Sequence, residues 1–263
     1  MLTLNCKGKV TSFERPLVMG IVNATPDSFY QPSYEGTYSP IKLAENMAAN
    51  GVNIIDIGGQ STRPGSVRIP ADEEVGRVIP ILKEVHQRFP ELIISIDTYH
   101  SIVAEAAVDA GASIINDISG GEMDPAMIPL AARLKTPYIC MHMQGTPETM
   151  QRNPHYDDIV MEVMQYFIRK TEECINAGIK DLIIDPGFGF GKTIEHNFIL
   201  LKNLSLFKIF EKPLLAGLSR KGTVYKSLGI DIEKALNGTT VLNTLALMNG
   251  ADILRVHDVK EAL

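Results

Sequence analysis

The sequence contains no tryptophan, only three cysteines and no continuous apolar run of membrane-spanning length. Cys6, Cys140 and Cys174 are widely spaced and form no Cys-x-x-Cys pair, so neither a disulfide framework nor a zinc site is indicated. Acidic residues exceed basic ones, and the formal net charge of −6 argues against a general nucleic-acid-binding protein. Because no signal peptide is recognisable either, we expect a cytoplasmic protein that has no membrane partner.

Eight short apolar segments predict the β-strands of the protein, because each runs into polar residues or into glycine and proline. The predicted strands cover residues 17–22, 53–57, 92–96, 112–115, 137–141, 182–184, 213–216 and 253–256. Segments with helical spacing separate them and cover residues 39–50, 71–88, 101–110, 126–134, 157–177, 194–203 and 231–249. This alternation predicts a parallel sheet with right-handed crossovers.

The repeat of strand and helix also predicts the architecture. Eight repeats in 263 residues, without a linker, favour an α/β fold in which residues 1–263 form one (β/α)8 TIM barrel domain. An open, doubly wound sheet is the alternative. We expect residues 1–16 to form a hairpin over the barrel floor, and the few residues after the eighth strand to form a truncated last helix.

The strongest local signal is a predicted strand that leads into a glycine-rich segment. The strand stops after Asp185, because Pro186 has no N–H group to extend a sheet ladder. Three glycines then permit tight turns close to a ligand, namely Gly187, Gly189 and Gly191. The segment is not a Walker A phosphate loop, since Pro186 occupies the position of that motif's first glycine. A simple connection between strand and helix is the alternative interpretation.

Nearly every predicted strand runs into polar residues, and in such a barrel the carboxyl ends of the strands meet at one mouth. A first group combines carboxylates, an amide and an ammonium group, which suit the edge of a flat heterocycle. Its members are Asp97, Asn116, Asp185 and Lys221. Each of them could instead cap the next helix or pair with a neighbour, and Asp117 competes with Asn116 for the inward position.

A second group combines two guanidinium groups, an imidazole and amide or hydroxyl donors, which together suit an anion such as phosphate. Its members are Asn23, Thr62, Arg63, Arg255 and His257. Arg255 and His257 are two positions apart on an ending strand, so their side chains share one face. The loops at residues 24–40 and 58–70 lack periodicity and are predicted to be lids. His142 is interpreted as a packed core histidine, and nothing argues for or against a role of Lys192.

The ordered motifs of the chain resemble those of the dihydropteroate synthase family, folate-pathway enzymes that sulfonamides inhibit. These motifs cover residues 19–29, 56–65, 95–98, 115–121, 141–145, 185–193, 219–221 and 255–258. The resemblance extends from Met19 to Val259, which is nearly the whole chain. Because so many motifs occur in one order, the resemblance is specific.

The resemblance implies a transferase of folate biosynthesis that joins 4-aminobenzoate to 6-hydroxymethyl-7,8-dihydropterin pyrophosphate. The products would be 7,8-dihydropteroate and pyrophosphate, formed when the amine attacks a pterin methylene cation left by departure of pyrophosphate. It further implies Mg²⁺ as the cofactor, the two small-molecule substrates as partners, and a homodimer that packs through the last helices.

The resemblance also assigns roles to individual residues, and Asp97, Lys221 and Arg255 are the implied catalytic residues. Those implied for pterin are Asp97, Asn116, Met141, Asp185, Gly217, Lys221 and Arg255. Those implied for pyrophosphate are Asn23, Thr62, Arg63, Arg255 and His257, with Asn23 also meeting the metal. Those implied for 4-aminobenzoate are Phe29, Thr62, Pro64, Phe190, Ser219 and Lys221.

The sequence departs from the family pattern at three places. Gln60 stands where the family usually has Glu, which removes a charge near the second loop. Gly222 stands where Ser is usual, which predicts a looser start of the following helix. Residues 30–34 replace the usual turn of the first loop, so we expect its closed shape to differ.

Two other functions compete with the synthase. A non-catalytic pterin-binding relative would keep the pocket and lack the chemistry. A pterin-barrel methyltransferase would share the pterin carboxylates but has no need for a pyrophosphate clamp. Arg63, Arg255 and His257 therefore favour the synthase.

Overall fold

A barrel of eight parallel strands dominates the computed structural model, which describes residues 2–6, 8–25 and 39–263. Its strands, β3 to β10, are Leu17–Asn23, Ile54–Gly58, Ile93–Asp97, Ile114–Asp117, Tyr138–Met141, Leu182–Asp185, Leu215–Ala216 and Ile253–Val256. Neighbouring strands pair in the order β8-β7-β6-β5-β4-β3-β10-β9. A parallel bridge between Ile184 and Leu214 joins the two ends of this row. The predicted barrel is confirmed, and the alternative of an open sheet is wrong.

Nine α-helices alternate with the strands in the described part of the chain. These helices, α1 to α9, are Pro40–Ala49, Ala71–Arg88, Ser101–Ala110, Met127–Leu134, Ile159–Ala177, Ile194–Lys202, Gly222–Leu228, Leu236–Met248 and Val259–Ala262. Hydrogen bonds from side chains fix several starts, as at Asp158, which accepts from the N–H groups of Val160 and Met161. The truncated last helix is confirmed, since α9 is one turn long.

Two helical segments were not predicted. The first is α7, which starts at Gly222 without a side-chain cap, so its sequence carries neither a cap nor a long periodic pattern. The second is a 3₁₀ helix at Leu204–Phe210, which is short and irregular by nature. The predicted helix over residues 231–249 is divided into a 3₁₀ turn at Ile232–Lys234 and α8.

The predicted N-terminal hairpin is present and closes the bottom of the barrel. Its strands, β1 at Leu2–Cys6 and β2 at Lys9–Phe13, pair antiparallel. Leu4 is 1% exposed and packs in one apolar cluster with inward residues of the barrel strands. That cluster contains Leu4, Cys6, Leu17, Met19, Ile54, Ile114, Ile139, Ile183, Leu215 and Ile253.

Alternate residues of a β-strand share one face, so the apolar floor residues and the polar residues at the mouth lie on the same face of each strand. On β3, Leu17 and Met19 belong to the floor, and Ile21 and Asn23 point from the same face into the space above it. The remaining barrel strands follow the same rule. On each of them, the residues two and four positions after the floor residue face the interior. Among the described residues, no helix has the length and apolar character needed to cross a bilayer.

Glu74 in the first turn of α2 is a fully buried carboxyl group behind the barrel mouth. Burial raises its pKa from 4.5 to about 8, and Asp97 adds to this shift while Thr98 and Arg77 oppose it. The folded state therefore holds a proton that the unfolded chain releases above pH 4.5. The free energy of unfolding therefore falls as the pH rises from 4.5 towards 8, because burying the ionised carboxylate is unfavourable.

We predict that Glu74→Gln is more stable than the parent chain at pH 8 and nearly equal to it at pH 5. The difference should grow with pH by at most about 1.4 kcal/mol per unit, because the amide cannot ionise. Thermal or urea unfolding at several pH values measures it. Glu172→Gln, an exposed glutamate of α5, is the matched control. A stability difference that stays constant with pH would contradict the buried-acid assignment.

Candidate active site

The carboxyl ends of the barrel strands surround a cavity of about 670 Å³. Most residues that the sequence predicts for the site line this cavity. They are Asn23, Thr62, Arg63, Pro64, Asp97, Phe190, Gly217, Ser219, Lys221, Arg255 and His257. Members of both predicted groups, for the heterocycle and for the anion, therefore share one enclosure.

Three further predicted residues, Asn116, Met141 and Asp185, are buried beside the cavity, and their roles at the site stay predictions. Asn116 and Asp185 are 3% and 6% exposed, and both are held by hydrogen bonds to other protein groups. Met141 is 2% exposed and packs in an apolar cluster that includes Tyr99 and Phe190. Phe29, expected at the 4-aminobenzoate site, and the departing segment at residues 30–34 lie outside the described residues.

A network of charged groups lies at the base of the cavity and is distinct from the apolar barrel floor. The guanidinium of Arg255 donates through Nε to Asp56 Oδ2 at 2.7 Å and through Nη2 to Asp97 Oδ2 at 2.6 Å. Asn116 Nδ2 donates to the same Asp56 oxygen at 2.9 Å. Removing one partner of such a buried pair leaves an uncompensated charge and typically costs about 3–5 kcal/mol.

Asp56 was not predicted as a site residue. It is fully buried within an apolar strand, where an ionisable side chain is rare unless it has a partner. The available signal was parity, because Asp56 follows the floor residue Ile54 by two positions and therefore faces inward. An acid inside a predicted buried strand would have identified it.

The charged groups of this network shift one another's pKa values. Burial raises the pKa of Asp97 to about 7, and Arg255 opposes the shift. Burial alone would lower the pKa of Arg255, but Asp56 and Asp97 raise it on balance, so the guanidinium stays charged. One carboxyl oxygen each of Asp56 and Asp97, the Oδ1 atom, is buried and has no hydrogen-bond partner within the described residues. These atoms can accept donors from a ligand.

Asp185 and Lys221 interact electrostatically beside this network without a direct hydrogen bond between them among the described contacts. Burial raises the pKa of Asp185 and lowers that of Lys221 to about 8, and each group opposes the shift of the other. Lys221 Nζ donates to the Phe188 carbonyl and lies 4.6 Å from the ring centroid of Phe190. The ammonium is therefore fixed between a carboxyl group and an aromatic wall.

The glycine-rich segment after β8 makes the tight turns predicted for it. Gly187, Gly189 and Gly191 all have positive φ, and a Cβ at Gly187 would lie 1.9 Å from the His142 carbonyl oxygen. Lys192 Nζ stabilises the loop by donating to the carbonyls of Gly187 and Phe190, each at 2.9 Å. This structural role of Lys192 was not predicted.

His142 packs as predicted, although its ring also contacts the loop lysine. The ring meets Tyr166 edge-on at 4.9 Å, and Nδ1 lies 2.9 Å from Lys192 Nζ. Burial, reinforced by Lys192, lowers the pKa of His142 well below its ordinary value. His142 is therefore a neutral residue of the loop support.

The exits of β9 and β10 are joined by hydrogen bonds. The backbone N–H of His257 donates to Ser219 Oγ at 3.1 Å, and Ser219 Oγ lies 3.1 Å from His257 Nδ1. Burial, followed by Arg255, lowers the pKa of His257 to about 3, so this imidazole is neutral near pH 7. Positive charge for an anion must therefore come from arginine and lysine side chains. Arg220, which was not predicted, makes two 2.8 Å bonds to Asp258 and supports both exits.

Local contacts show the orientation of Asp117 and the packing at Gly222. Asp117 faces away from the cavity, because its carboxylate accepts the N–H groups of Ser119 and Gly121 and the hydroxyl of Tyr138. Asn116 is consequently the inward residue of β6. At Gly222 a Cβ would meet Lys226 at 3.5 Å, an ordinary contact, so packing does not require glycine at the start of α7.

Comparison with known proteins places this geometry in a family. Residues 19–257 match the family described as "Pterin binding enzyme". A dihydropteroate synthase from Escherichia coli (strain K12) is 43% identical over 265 residues, covering 100% of this chain and 93% of that protein.

Solved structures agree with the sequence comparison. The chain superposes with a TM-score of 0.93 on a Yersinia pestis dihydropteroate synthase in a sulfonamide drug complex, at 40% identity, covering 99% of this chain and 95% of that one. A Xanthomonas albilineans dihydropteroate synthase with 4-aminobenzoic acid gives a TM-score of 0.90 at 39% identity, covering 99% and 94%. With its ordered motifs, its barrel and its charged cavity, the chain belongs to the dihydropteroate synthase family of pterin-binding enzymes.

Proposed function

We propose that the chain catalyses the condensation of 4-aminobenzoate with 6-hydroxymethyl-7,8-dihydropterin pyrophosphate, giving 7,8-dihydropteroate and pyrophosphate. The observation that carries this proposal is the single cavity lined by Asp97, Lys221 and Arg255 together with Asn23, Arg63 and His257. A flat, donor-rich ring and a highly charged diphosphate tail require these two kinds of surroundings in one enclosure.

The carboxylates at the base of the cavity suit the pterin ring. Its amino and ring N–H groups are donors, and the Oδ1 atoms of Asp56 and Asp97, which have no hydrogen-bond partner in the described part of the chain, are acceptors in the same region. Asp97 lines the cavity, whereas Asp56 lies beneath it, so Asp97 is the proposed direct contact. Arg255 presents a planar guanidinium that is fixed by both acids and can stack on the ring. Asn116 and Asp185 would reach the ring edge from their buried positions.

The negatively charged diphosphate requires positive charge and hydrogen-bond donors. Arg63 and Arg255 supply fixed positive charge, and neutral His257 together with Thr62 supplies hydrogen-bond donors. Asn23 offers an amide oxygen at the end of β3, which suits Mg²⁺ because this ion prefers oxygen and takes few protein ligands beside substrate phosphates. No cluster of three metal-binding side chains occurs in the described ranges, which fits an ion held mainly by the substrate. Bound Mg²⁺ would supply charge neutralisation for the leaving group.

The chemistry that follows needs no nucleophile from the protein. The bond between the pterin methylene carbon and the pyrophosphate oxygen breaks with its electron pair going to pyrophosphate, which the arginines stabilise. The methylene carries a positive charge that the ring delocalises and that the Asp97 carboxylate, aligned by Arg255, stabilises. The nitrogen of 4-aminobenzoate then bonds to this carbon and releases a proton. Pro64, Phe190, Ser219 and Lys221 would hold the amine in place.

The decisive experiment is pyrophosphate release by the purified chain. Release should require both substrates and Mg²⁺, and 7,8-dihydropteroate should appear in equal amount. A chain that binds the pterin without releasing pyrophosphate would be a binding protein. Methyl transfer from a methyl-folate to a corrinoid would support the alternative methyltransferase.

We predict that Asp97→Asn lowers kcat by about 10²-fold or more and weakens pterin affinity much less. The amide keeps the size of the side chain and one acceptor oxygen, but it loses the charge that stabilises the methylene cation, an interaction made mainly in the transition state. Steady-state kinetics and calorimetric binding of 6-hydroxymethyl-7,8-dihydropterin measure the two quantities. Equal losses in both would contradict a transition-state role.

We also propose that the enzyme works as a cytoplasmic homodimer. Val241, Leu245 and Met248 are 52%, 40% and 78% exposed at helical spacing on α8, which makes an apolar stripe. Sedimentation should give about twice the chain mass of 28.9 kDa. The double variant Leu245→Glu/Met248→Glu should sediment as a monomer, whereas Ile102→Glu, an equally exposed position on α3, should not change the mass. A monomeric parent chain would contradict the pairing.

A further inference from the structure

Gln60 is a buried amide at the root of the second loop. It follows β4 by two residues and is 6% exposed. Its Nε2 donates to the carbonyls of Ser61 at 2.9 Å and Val67 at 3.1 Å. Its Oε1 accepts the backbone N–H of Ile69 at 2.8 Å. One side chain therefore binds the backbone of the loop at its start, its far side and its end.

The chemistry of these partners requires an amide. Two backbone carbonyls can only accept, and one backbone N–H can only donate, so the orientation of the Gln60 amide is unambiguous. An ionised carboxylate at this position would place negative oxygen against two carbonyl oxygens. A protonated carboxyl group could donate to one of them and still accept from Ile69.

Packing does not hold this loop in place. None of residues 61–70 is buried, and Val67 is 74% exposed. A segment with few buried apolar contacts depends on its hydrogen bonds for order. Other hydrogen bonds also order the loop, such as Ser66 Oγ to the Ser61 carbonyl at 2.7 Å, Gly65 N–H to the Pro147 carbonyl at 2.9 Å and Arg68 Nη2 with His100 Nδ1 at 3.1 Å. Each of these joins the loop at one point, whereas Gln60 contacts three of its residues.

The same loop carries three residues that line the cavity, namely Thr62, Arg63 and Pro64. We infer that Gln60 is a positioning residue, whose amide holds the second loop so that these three side chains face the 4-aminobenzoate and diphosphate side of the cavity. This assignment rests on the proposed function and adds a residue that touches no reacting atom. Because an amide does not ionise, this support of the loop is independent of pH, whereas a carboxyl group at the same position would make it depend on pH.

The test compares Gln60→Glu with the parent chain over a range of pH. The introduced carboxyl group should titrate above the ordinary glutamate value of about 4.3 because the position is buried. Its protonated form, at low pH, can support the loop, and its ionised form cannot. The ratio of parent to variant kcat/KM for 4-aminobenzoate should therefore be near 1 at low pH and at least about tenfold above neutral pH.

Several charged or titratable groups surround the loop, and all of them are present in both proteins. They are Glu74 and Arg77 on α2, Arg68 in the loop and His100 after β5. Taking the ratio at each pH removes their contribution. Gln87→Glu, the same change at an exposed position of α2, is the matched control and should give a ratio near 1 at every pH.

Two further readouts separate positioning from general damage. The loss should lie in the KM for 4-aminobenzoate more than in kcat, and the affinity for 6-hydroxymethyl-7,8-dihydropterin without diphosphate should stay unchanged. Hydrogen exchange at neutral pH should accelerate in the peptide covering residues 61–69 of Gln60→Glu and of Gln60→Ala. Peptides from the other barrel strands should exchange as in the parent chain.

The outcomes decide separately between the two proposals. Faster exchange confined to the loop together with a pH-dependent rise in KM supports the assignment. Unchanged exchange, or faster exchange with an unchanged KM, overturns it. If the parent chain shows no turnover, the proposed function fails, and the exchange of residues 61–69 still tests whether Gln60 holds the loop.

Discussion

The fold and the site both depend on one half-buried guanidinium. Arg255 at the end of β10 bonds Asp56 on β4 and Asp97 at the end of β5, which are 199 and 158 positions away in the sequence. Each of the three charged groups would destabilise the folded state without its partners, because an unpaired charge in this environment has a large desolvation cost. The three strands must therefore meet in this register, and the cavity at the barrel mouth acquires its charged base in the same step.

This network also prepares the site before any substrate arrives. Asp97 uses Oδ2 for Arg255 and keeps Oδ1 without a hydrogen-bond partner among the described residues, so an acceptor is held ready in a fixed position at the cavity. Preorganised groups of this kind are more effective in a transition state than groups that must reorient. Lys192 and Gln60 apply the same principle to two loops, since each satisfies backbone groups that would otherwise have to be ordered by the substrate.

Much of this arrangement could be read from the sequence, because strand period and barrel topology are local consequences of residue pattern. Asn23, Asp97 and Arg255 were predicted because they lie at the carboxyl ends of predicted strands, which meet at the mouth of a barrel. Asp56 was missed although an acid inside a predicted buried strand is a signal, and the sequence does not show its partner Arg255, which lies 199 positions away. Gln60 and Lys192 were missed as supports for a related reason, as their partners are backbone atoms whose positions depend on the tertiary fold.

The most direct test of the account is the affinity of Asp56→Asn for 6-hydroxymethyl-7,8-dihydropterin, measured by calorimetry beside the parent chain. Asp56 lies beneath the cavity wall and has no proposed direct contact with the ring, so it can influence binding through Arg255 and Asn116. Asp109→Asn, an exposed position on α3, is the control. We predict at least about tenfold weaker binding, equal to about 1.4 kcal/mol, in a variant that still folds. Unchanged affinity in that variant would contradict it.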